Sequence, residues 1–256
     1  MSEGPLAGFR VLVTRPAHQA GALAEAIEKA GGEAIRFPVI RIIGRNPDIV
    51  TNELASLPSP DIVLFVSGNA VDFGLTAMLG SGATIAAVGP TTRAAIEAGG
   101  ADVTISSDTG FDSETLLTHP ALNDVRDKTI IIVRGESGRE LLSDTLRNRG
   151  ADVRYLSVYR REIRHAPPEE IDSLDARFRQ GGIDCVTVMS IETLKNLLQL
   201  LPPTSLEALR KTPLVAPGAR VIQTAKELVP GISAIMASGP QSADMINALI
   251  EARHSG

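Results

Sequence analysis

The feature that most constrains the fold of this chain is an internal duplication. Residues 11–41, VLVTRPAHQAGALAEAIEKAGGEAIRFPVIR, align without a gap with residues 130–160, IIIVRGESGRELLSDTLRNRGADVRYLSVYR. In this alignment Arg15 matches Arg134, and Gly31 matches Gly150. A repeat of about 120 residues is too long for one unit of a solenoid and has the size of a domain. We therefore expect two similar lobes, each with its own core.

Shorter matches extend the duplication in the same order along both halves. They pair 61–71 with 184–194, 87–93 with 214–220, and 112–117 with 241–246. Short apolar runs alternate with helical stretches; Phe9–Val13, for example, precedes a predicted helix over Ala20–Ala30 that ends at Gly31. Continuous apolar runs are typical of parallel strands covered on both faces. The prediction is an α/β fold of two similar, doubly wound parallel-sheet lobes.

Polar loops join the predicted strands to the helices that follow them. These loops lie at 15–16, 67–69, 89–92, 134–138 and 190–193. Parallel sheets bind ligands beyond the carboxyl ends of their strands, so we expect one site in the cleft between the two lobes. Small polar residues in such loops either cap the helix or leave its first amides free to bind an anion. Both interpretations stay open at this point.

Composition narrows the class of protein. The chain has 256 residues, a net charge of −5 and no Lys/Arg-rich run, so nucleic acid is not an expected partner. A single cysteine excludes an internal disulfide and a cysteine-based zinc site. No apolar stretch reaches about 18 residues, so no membrane span is expected. The first ten residues lack the features of a signal peptide, and we expect a cytoplasmic protein.

Other ionisable residues invite a structural interpretation. The four histidines are scattered, with no partner four residues on, so no metal site is expected. His18 lies on the first loop, where contact with a ligand remains open. Asp61 and Asp184 begin matched strands, and bonds to local amides are favoured over acid–base catalysis. Cys185, on an apolar strand, is predicted to belong to the core.

Several segments carry a resemblance to a known family. They are VLVTRP (11–16), GGEAIRFPVIRI (31–42), DIVLFVSGNAV (61–71), AAVGPTTRAAIEAGG (86–100), SETLL (113–117) and KTIIIVRGESGRELLSDTLRNRGADVRYLSVYRR (128–161). In this order and at these spacings the chain resembles the uroporphyrinogen-III synthase family, nearly end to end. Each segment alone is a weak signal, and the last is the most specific.

The resemblance implies how the two lobes are assembled from the chain. Residues 1–35 and 163–256 are expected to form lobe one, and residues 44–153 lobe two. Residues 36–43 and 154–162 are expected to pair as a two-stranded β linker. A ladder this thin implies lobes that move relative to each other.

The resemblance also implies a reaction. It is the cyclisation of hydroxymethylbilane to uroporphyrinogen III, with loss of water, inversion of the last pyrrole ring and no cofactor. This small-molecule substrate carries eight carboxylates, which suit the amide-rich loops, and a monomer is expected. Tyr159 matches the family tyrosine proposed to assist the departing hydroxyl group. A half-buried structural tyrosine is the alternative interpretation.

The expected substrate-binding residues come partly from the resemblance and partly from the polar loops at the strand ends. Ser67, Thr92 and Ser190 match serine and threonine positions that lie near the substrate in the family. The expected set is completed by Arg15, Asn69, Arg134 and Gly218. One position departs from the family pattern, because Ala219 stands where many members have a threonine. We therefore expect only backbone contacts from the loop at Gly218.

Two other classes of protein remain as alternatives. One is a non-catalytic tetrapyrrole- or small-anion-binding regulatory module of the same fold. The other is a two-lobed periplasmic binding protein, which the low aromatic content and the absence of signal-peptide features disfavour.

Overall fold

A computed structural model describes residues 4–107, 113–138 and 140–255. Its strands are β1 (Arg10–Val13), β2 (Glu33–Arg36), β3 (Ile40–Gly44), β4 (Ile62–Phe65), β5 (Thr84–Ala87), β6 (Ile105–Ser106), β7 (Thr129–Gly135), β8 (Asp152–Ile163), β9 (Cys185–Thr187), β10 (Leu214–Ala216) and β11 (Ala234–Met236). Its α-helices are α1 (Ala17–Lys29), α2 (Pro47–Ser56), α3 (Gly68–Met78), α4 (Pro90–Ala98), α5 (Ser113–Leu116), α6 (Leu141–Asn148), α7 (Pro168–Arg179), α8 (Ile191–Leu200), α9 (Pro203–Leu209), α10 (Ala219–Leu228) and α11 (Ser242–Ser255). A 3-10 turn covers Pro120–Leu122. Asp112, part of one matched segment, and residues 1–3 and 256, part of the expected lobe one, lie outside the described residues.

The chain divides into two compact units. Unit 1 runs up to Arg41 and resumes at Glu162, and unit 2 is Ile42–Arg161. Among the described residues, unit 1 holds a five-stranded sheet in the order β11-β10-β9-β1-β2. β1 pairs in parallel with both β2 and β9, so the first strand shares a sheet with the C-terminal half of the chain.

The sheet of unit 2 has the strand order β3-β8-β7-β4-β5-β6 across the described residues. The pairings of β7 with β8, of β7 with β4, and of β4 with β5 are parallel, as is that of β5 with β6. From β8 to β6 this order repeats that of unit 1, with β7 in the place of β1 and β4 in the place of β9. The predicted fold class, two similar doubly wound α/β lobes, is confirmed.

The chain passes between the units within β3 and within β8, which are neighbours in the sheet order. The expected linker segments, 36–43 and 154–162, overlap these two strands. β8 is longer than a linker requires, because its residues from Asp152 to Tyr159 also pair with β7. Between β2 and β3, Phe37 and Val39 are not in a strand, and their amides donate to the carbonyls of Val13 and Thr14.

Alternating side chains explain why the sheet of unit 2 is covered on both faces. Ile62 and Leu64 of β4 pack into one apolar cluster, and Val63 and Phe65 pack into another. β7 divides in the same way, with Ile130 and Ile132 on the first face and Ile131 and Val133 on the second. A strand buried on both faces requires the unbroken apolar run seen in the sequence.

Matched residues perform matched structural tasks in the two units. Gly31 (φ 90°) and Gly150 (φ 92°) each follow a helix in the left-handed conformation that glycine adopts without strain. Helix α1 begins at Ala17, three residues before the predicted start, directly after the N-cap residue Pro16. No described helix is long and apolar enough to cross a membrane.

Asp61 and Asp184 are structural carboxylates, as favoured from the sequence. Asp184 accepts hydrogen bonds from the backbone amide (2.8 Å) and the guanidinium of Arg10 (2.7 and 2.8 Å). Asp61 accepts from the backbone amide of Thr129 at 2.8 Å and from Lys128 at 3.1 Å. Because Arg10 and Thr129 are equivalent in the duplication, the same carboxylate-to-strand bond occurs twice.

Candidate functional site

The strand order of unit 2 reverses direction between β7 and β4, and a cavity lies at this point. The loops that follow the two strands at such a reversal lead to helices on opposite faces of the sheet, and this leaves a crevice at the carboxyl ends of the strands. The cavity has a volume of about 380 Å³. Its lining combines apolar residues with hydroxyl, guanidinium and backbone groups: Val66, Ser67, Val88, Ser113, Ile132, Arg134, Gly135, Ser137, Gly138, Leu142, Tyr155, Tyr159 and Arg161.

A β-bulge aims Tyr159 at this cavity. Arg134 pairs with Ser157, but the next residue, Gly135, pairs with Tyr159, so Val158 is an extra residue on β8. In a regular strand Tyr159 would share a face with Tyr155. After the bulge it packs instead with the apolar cluster on the opposite face, and it is only 2% exposed. Bulges next to functional sites commonly redirect a side chain in this way.

The hydroxyl group of Tyr159 is held among polar side chains. Its oxygen lies 3.3 Å from Oγ of Ser67 and 3.3 Å from Nη2 of Arg161. The ring lies against the backbone of Gly135, where an added Cβ would be 2.9 Å from two ring atoms. The phenol is therefore fixed at the wall of the cavity, with one glycine making room for its ring.

Arg134 is a buried cation beside the same cavity. It is 6% exposed, its Nη1 lies 3.1 Å from a carboxylate oxygen of Glu140, and its guanidinium stacks over the ring of Tyr155 at 4.6 Å. The hydroxyl group of Tyr155 donates to the other oxygen of Glu140. Gly138 leaves space for the guanidinium, because a Cβ there would lie 2.5 Å from Nη2. Two independent contacts thus hold the side chain of Arg134 in place.

The protonation states of this network agree with its geometry. The hydrogen bond from Tyr155, together with that from Arg134, lowers the pKa of Glu140. Burial, followed by the bond to Glu140, raises the pKa of Tyr155. Glu140 is therefore a carboxylate at neutral pH and Tyr155 a neutral phenol, which leaves the guanidinium of Arg134 with a stable anionic partner.

The other predicted residues of unit 2 lie at neighbouring strand ends. Ser67 caps α3, since its Oγ accepts the amide of Ala70 at 3.3 Å. Asn69, in the first turn of α3, and Thr92, in the first turn of α4, are both buried. The structure therefore brings Ser67, Arg134 and Tyr159 together around one cavity, whereas Asn69 and Thr92 are not among the residues that line it.

Arg15, Ser190 and Gly218 belong to unit 1, at the equivalent strand ends. Ser190 caps α8 by accepting the amide of Thr193 at 3.1 Å, and Gly218 precedes α10. Arg15 donates to the carbonyl of Pro240 at 2.7 Å, and its buried Nε has no hydrogen-bond partner in the described chain. Burial lowers the pKa of Arg15. Arg15 thus differs from its counterpart Arg134, which has a carboxylate partner.

Comparison with known proteins agrees with this architecture. The family model described as uroporphyrinogen-III synthase HemD matches residues 21–247. The chain belongs to the uroporphyrinogen-III synthase family. It is 32% identical to the uroporphyrinogen-III synthase of Salmonella typhimurium over 200 residues, which are 75% of this chain and 80% of the relative. The uroporphyrinogen-III synthase of Escherichia coli is 30% identical over the same shares.

Solved structures of uroporphyrinogen-III synthases share the fold of this chain. One from Thermus thermophilus, a mutant form of that enzyme, is similar with a TM-score of 0.63 at 20% identity, covering 97% of this chain and 100% of that one. One from Helicobacter pylori is similar with a TM-score of 0.64 at 15% identity, covering 95% and 99%. At these identities the likeness establishes the fold alone.

Sequence reasoning within this uroporphyrinogen-III synthase fold missed two residues that line the cavity, Tyr155 and Arg161, and the carboxylate partner of Arg134, Glu140. Glu140, Tyr155 and Arg161 were not singled out, although all three lie in the long segment that carried the family resemblance. The available signal was the spacing of Glu140, six residues after Arg134 at the start of a helix. Cys185 is buried in the core of unit 1, as predicted, and His18 is exposed. The described residues contain no group of three or more His, Cys, Asp or Glu side chains able to hold a metal.

Proposed function

We propose that this chain is a uroporphyrinogen-III synthase that cyclises hydroxymethylbilane, with loss of water and inversion of ring D. Family membership supports the reaction. The observation that supports its location is the Tyr159 hydroxyl group at the wall of a cavity that also contains Ser67 and the cation of Arg134. A proton donor beside a cation suits a substrate that carries a leaving hydroxyl group among carboxylates.

The chemistry required of the protein is modest. Electron release from the terminal pyrrole ring expels the hydroxyl group, and a proton from Tyr159 lets it depart as water. The substituted α-carbon of ring D then attacks the resulting electrophile. Because the bilane closes spontaneously to the symmetric type I isomer, the enzyme must mainly hold the conformation that leads to type III.

The carboxylate groups of the substrate are the groups through which the protein can hold that conformation. We assign Arg134 to one of them, with Ser67, Asn69 and Thr92 contributing hydroxyl, amide or first-turn backbone groups at the starts of α3 and α4. In unit 1, the proposed carboxylate-binding groups are Arg15, Ser190 and the backbone at Gly218. The unpartnered Nε of Arg15 supports its inclusion, since a buried guanidinium nitrogen gains from an anionic partner.

The proposed enzyme is a cytoplasmic monomer that works without a cofactor, nucleic acid or membrane. The expulsion of hydroxide by an electron-rich pyrrole involves no oxidation or reduction, so the chemistry supplies no role for a redox group. A net charge of −5 and a lone buried cysteine support a soluble protein of a reducing compartment.

The test is the isomer ratio of the product. The purified protein is given freshly prepared hydroxymethylbilane, and the oxidised products are separated by chromatography. We expect the type III isomer to dominate, increasingly so as the protein concentration rises, because the enzyme must outrun spontaneous closure. A type I product at every protein concentration, together with measurable binding of the bilane, would instead identify a non-catalytic binding module.

A further inference from the structure

Arg161 and Ser67 contact the same oxygen atom of Tyr159. Nη2 of Arg161 lies 3.3 Å from the Tyr159 hydroxyl oxygen, and Oγ of Ser67 lies at the same distance from it. The guanidinium of Arg161 is 5.8 Å from the centre of the Tyr159 ring. Arg161 is itself exposed and lines the cavity. The cation therefore stands where the proposed proton donor meets the cavity.

Counting donors and acceptors determines the direction of the bond to Arg161. Arginine can only donate, so the Tyr159 oxygen accepts from Arg161. Between Ser67 and Tyr159 either hydroxyl group can donate, because the serine oxygen has a second acceptor position beside the one that the amide of Ala70 fills. The phenol oxygen of Tyr159 thus receives a hydrogen bond from a cation, and its own proton cannot be donated to Arg161.

We propose that Arg161 is a positioning residue that holds the Tyr159 oxygen at the cavity and stabilises its negative charge as the phenol proton passes to the leaving hydroxyl group. This inference rests on the proposed function. The phenol O–H bond and the hydroxymethyl C–O bond break, and water departs. The pyrrole ring supplies the electron pair of the new exocyclic C=C bond, and its nitrogen becomes cationic. Arg161 stabilises the phenolate formed, until a proton released on ring closure restores the phenol.

A double-mutant cycle tests this role through a readout that a structural residue would not change. Turnover at saturating hydroxymethylbilane and KM are measured for Arg161→Met, Tyr159→Phe and the double variant. We expect Arg161→Met to lower kcat about tenfold with KM nearly unchanged, as loss of one charge-assisted contact predicts. Tyr159→Phe should lower kcat by about 10²-fold. In the Tyr159→Phe background, Arg161→Met should have no further effect.

Two further variants serve as controls. Arg160→Met removes the same charge from the neighbouring exposed position and should leave kcat within about twofold of the unaltered protein. Arg161→Lys keeps the charge but loses the planar donor group, so its kcat should fall between those of Arg161→Met and the unaltered protein. Arg161→Lys carries the comparison if Arg161→Met does not fold.

Two outcomes overturn the proposal. An equal loss of kcat in both backgrounds means that Arg161 acts independently of the Tyr159 hydroxyl group. A rise in KM alone means that Arg161 binds a substrate carboxylate instead. Both outcomes can be told apart from failure of the proposed function, because in that case the unaltered protein itself yields the type I product.

Discussion

Gly135 is the residue whose small size matters most to the cavity. It lies opposite Tyr159 in the bulged pairing, and the tyrosine ring occupies the space that a side chain at Gly135 would need. A side chain here competes directly with the proposed proton donor for space. Gly138 likewise leaves space for Arg134. The atom that a Cβ there would meet is at the far end of a flexible side chain, so it can move aside more easily than the Tyr159 ring.

Gly135→Ala should therefore reduce both activity and stability. The added methyl group forces the Tyr159 ring to move, and overpacking of this kind costs about 1–3 kcal/mol. Gly21→Ala is the control, because a Cβ in that part of α1 meets nothing within 4 Å. That change should stabilise the protein by about 0.5–1 kcal/mol and leave turnover unaltered. Turnover and urea unfolding measure the two effects; normal turnover in Gly135→Ala would contradict the expected close fit.

At the scale of elements, the same kind of hydrogen bond occurs between the two central strands of each sheet. In unit 1 the carboxylate of Asp184, just before β9, binds the first amide of β1 and the Arg10 guanidinium. Although burial opposes it, hydrogen bonding from the side chain and backbone of Arg10 leaves the pKa of Asp184 lowered. In unit 2 the bond from Thr129, followed by that from Lys128, lowers the pKa of Asp61.

Asp184→Ala should destabilise the protein in a pH-dependent way. A carboxyl group whose pKa is lowered by folding contributes stability above its ordinary pKa and loses it as the pH falls through the folded value. We expect a loss of about 1 kcal/mol at pH 7, since the pair is partly exposed, and a smaller loss at about pH 3, below the ordinary carboxyl pKa. Urea unfolding followed by circular dichroism measures this. Asp172→Ala, an exposed change on α7, should have no effect at either pH.

At the scale of the whole molecule, each unit carries its own natural reporter of unfolding. The chain has no tryptophan and one cysteine, and Cys185 is fully buried in the core of unit 1. Both tyrosines, Tyr155 and Tyr159, belong to unit 2. Burial raises the pKa of Cys185, so its thiol is protected and unreactive in the folded protein.

Thiol labelling and tyrosine fluorescence should therefore report different transitions. Since each unit has its own apolar clusters, we expect two midpoints in urea rather than one. Labelling of Cys185 should follow unit 1 and tyrosine emission should follow unit 2. Coincident midpoints would show instead that the two units unfold as one cooperative body.

The sequence by itself determined the architecture. A domain-length duplication with apolar runs predicts two parallel-sheet lobes, because strands covered on both faces need unbroken apolar sequence. The same architecture predicts that the loops at 67–69 and 134–138 lie at one edge of a sheet, since the carboxyl ends of parallel strands share an edge. The structural roles of Asp61 and Asp184 also followed from their places in the repeat, and that of Cys185 from the apolar strand around it.

Only the tertiary structure decided which side chains meet at the cavity. Strict alternation along β8 puts Tyr155 and Tyr159 on one face, and the bulge at Val158 separates them. Bulges depend on pairing with a distant strand, which local sequence does not encode. Glu140 and Tyr155, the partners of Arg134, and Ser67, one partner of Tyr159, likewise lie outside the strand of the residue that they contact. The duplication made Arg15 and Arg134 equivalent in sequence, but within the described part of the chain only Arg134 has a carboxylate partner. Glu140 comes within its reach because α6 packs beside β7 and β8.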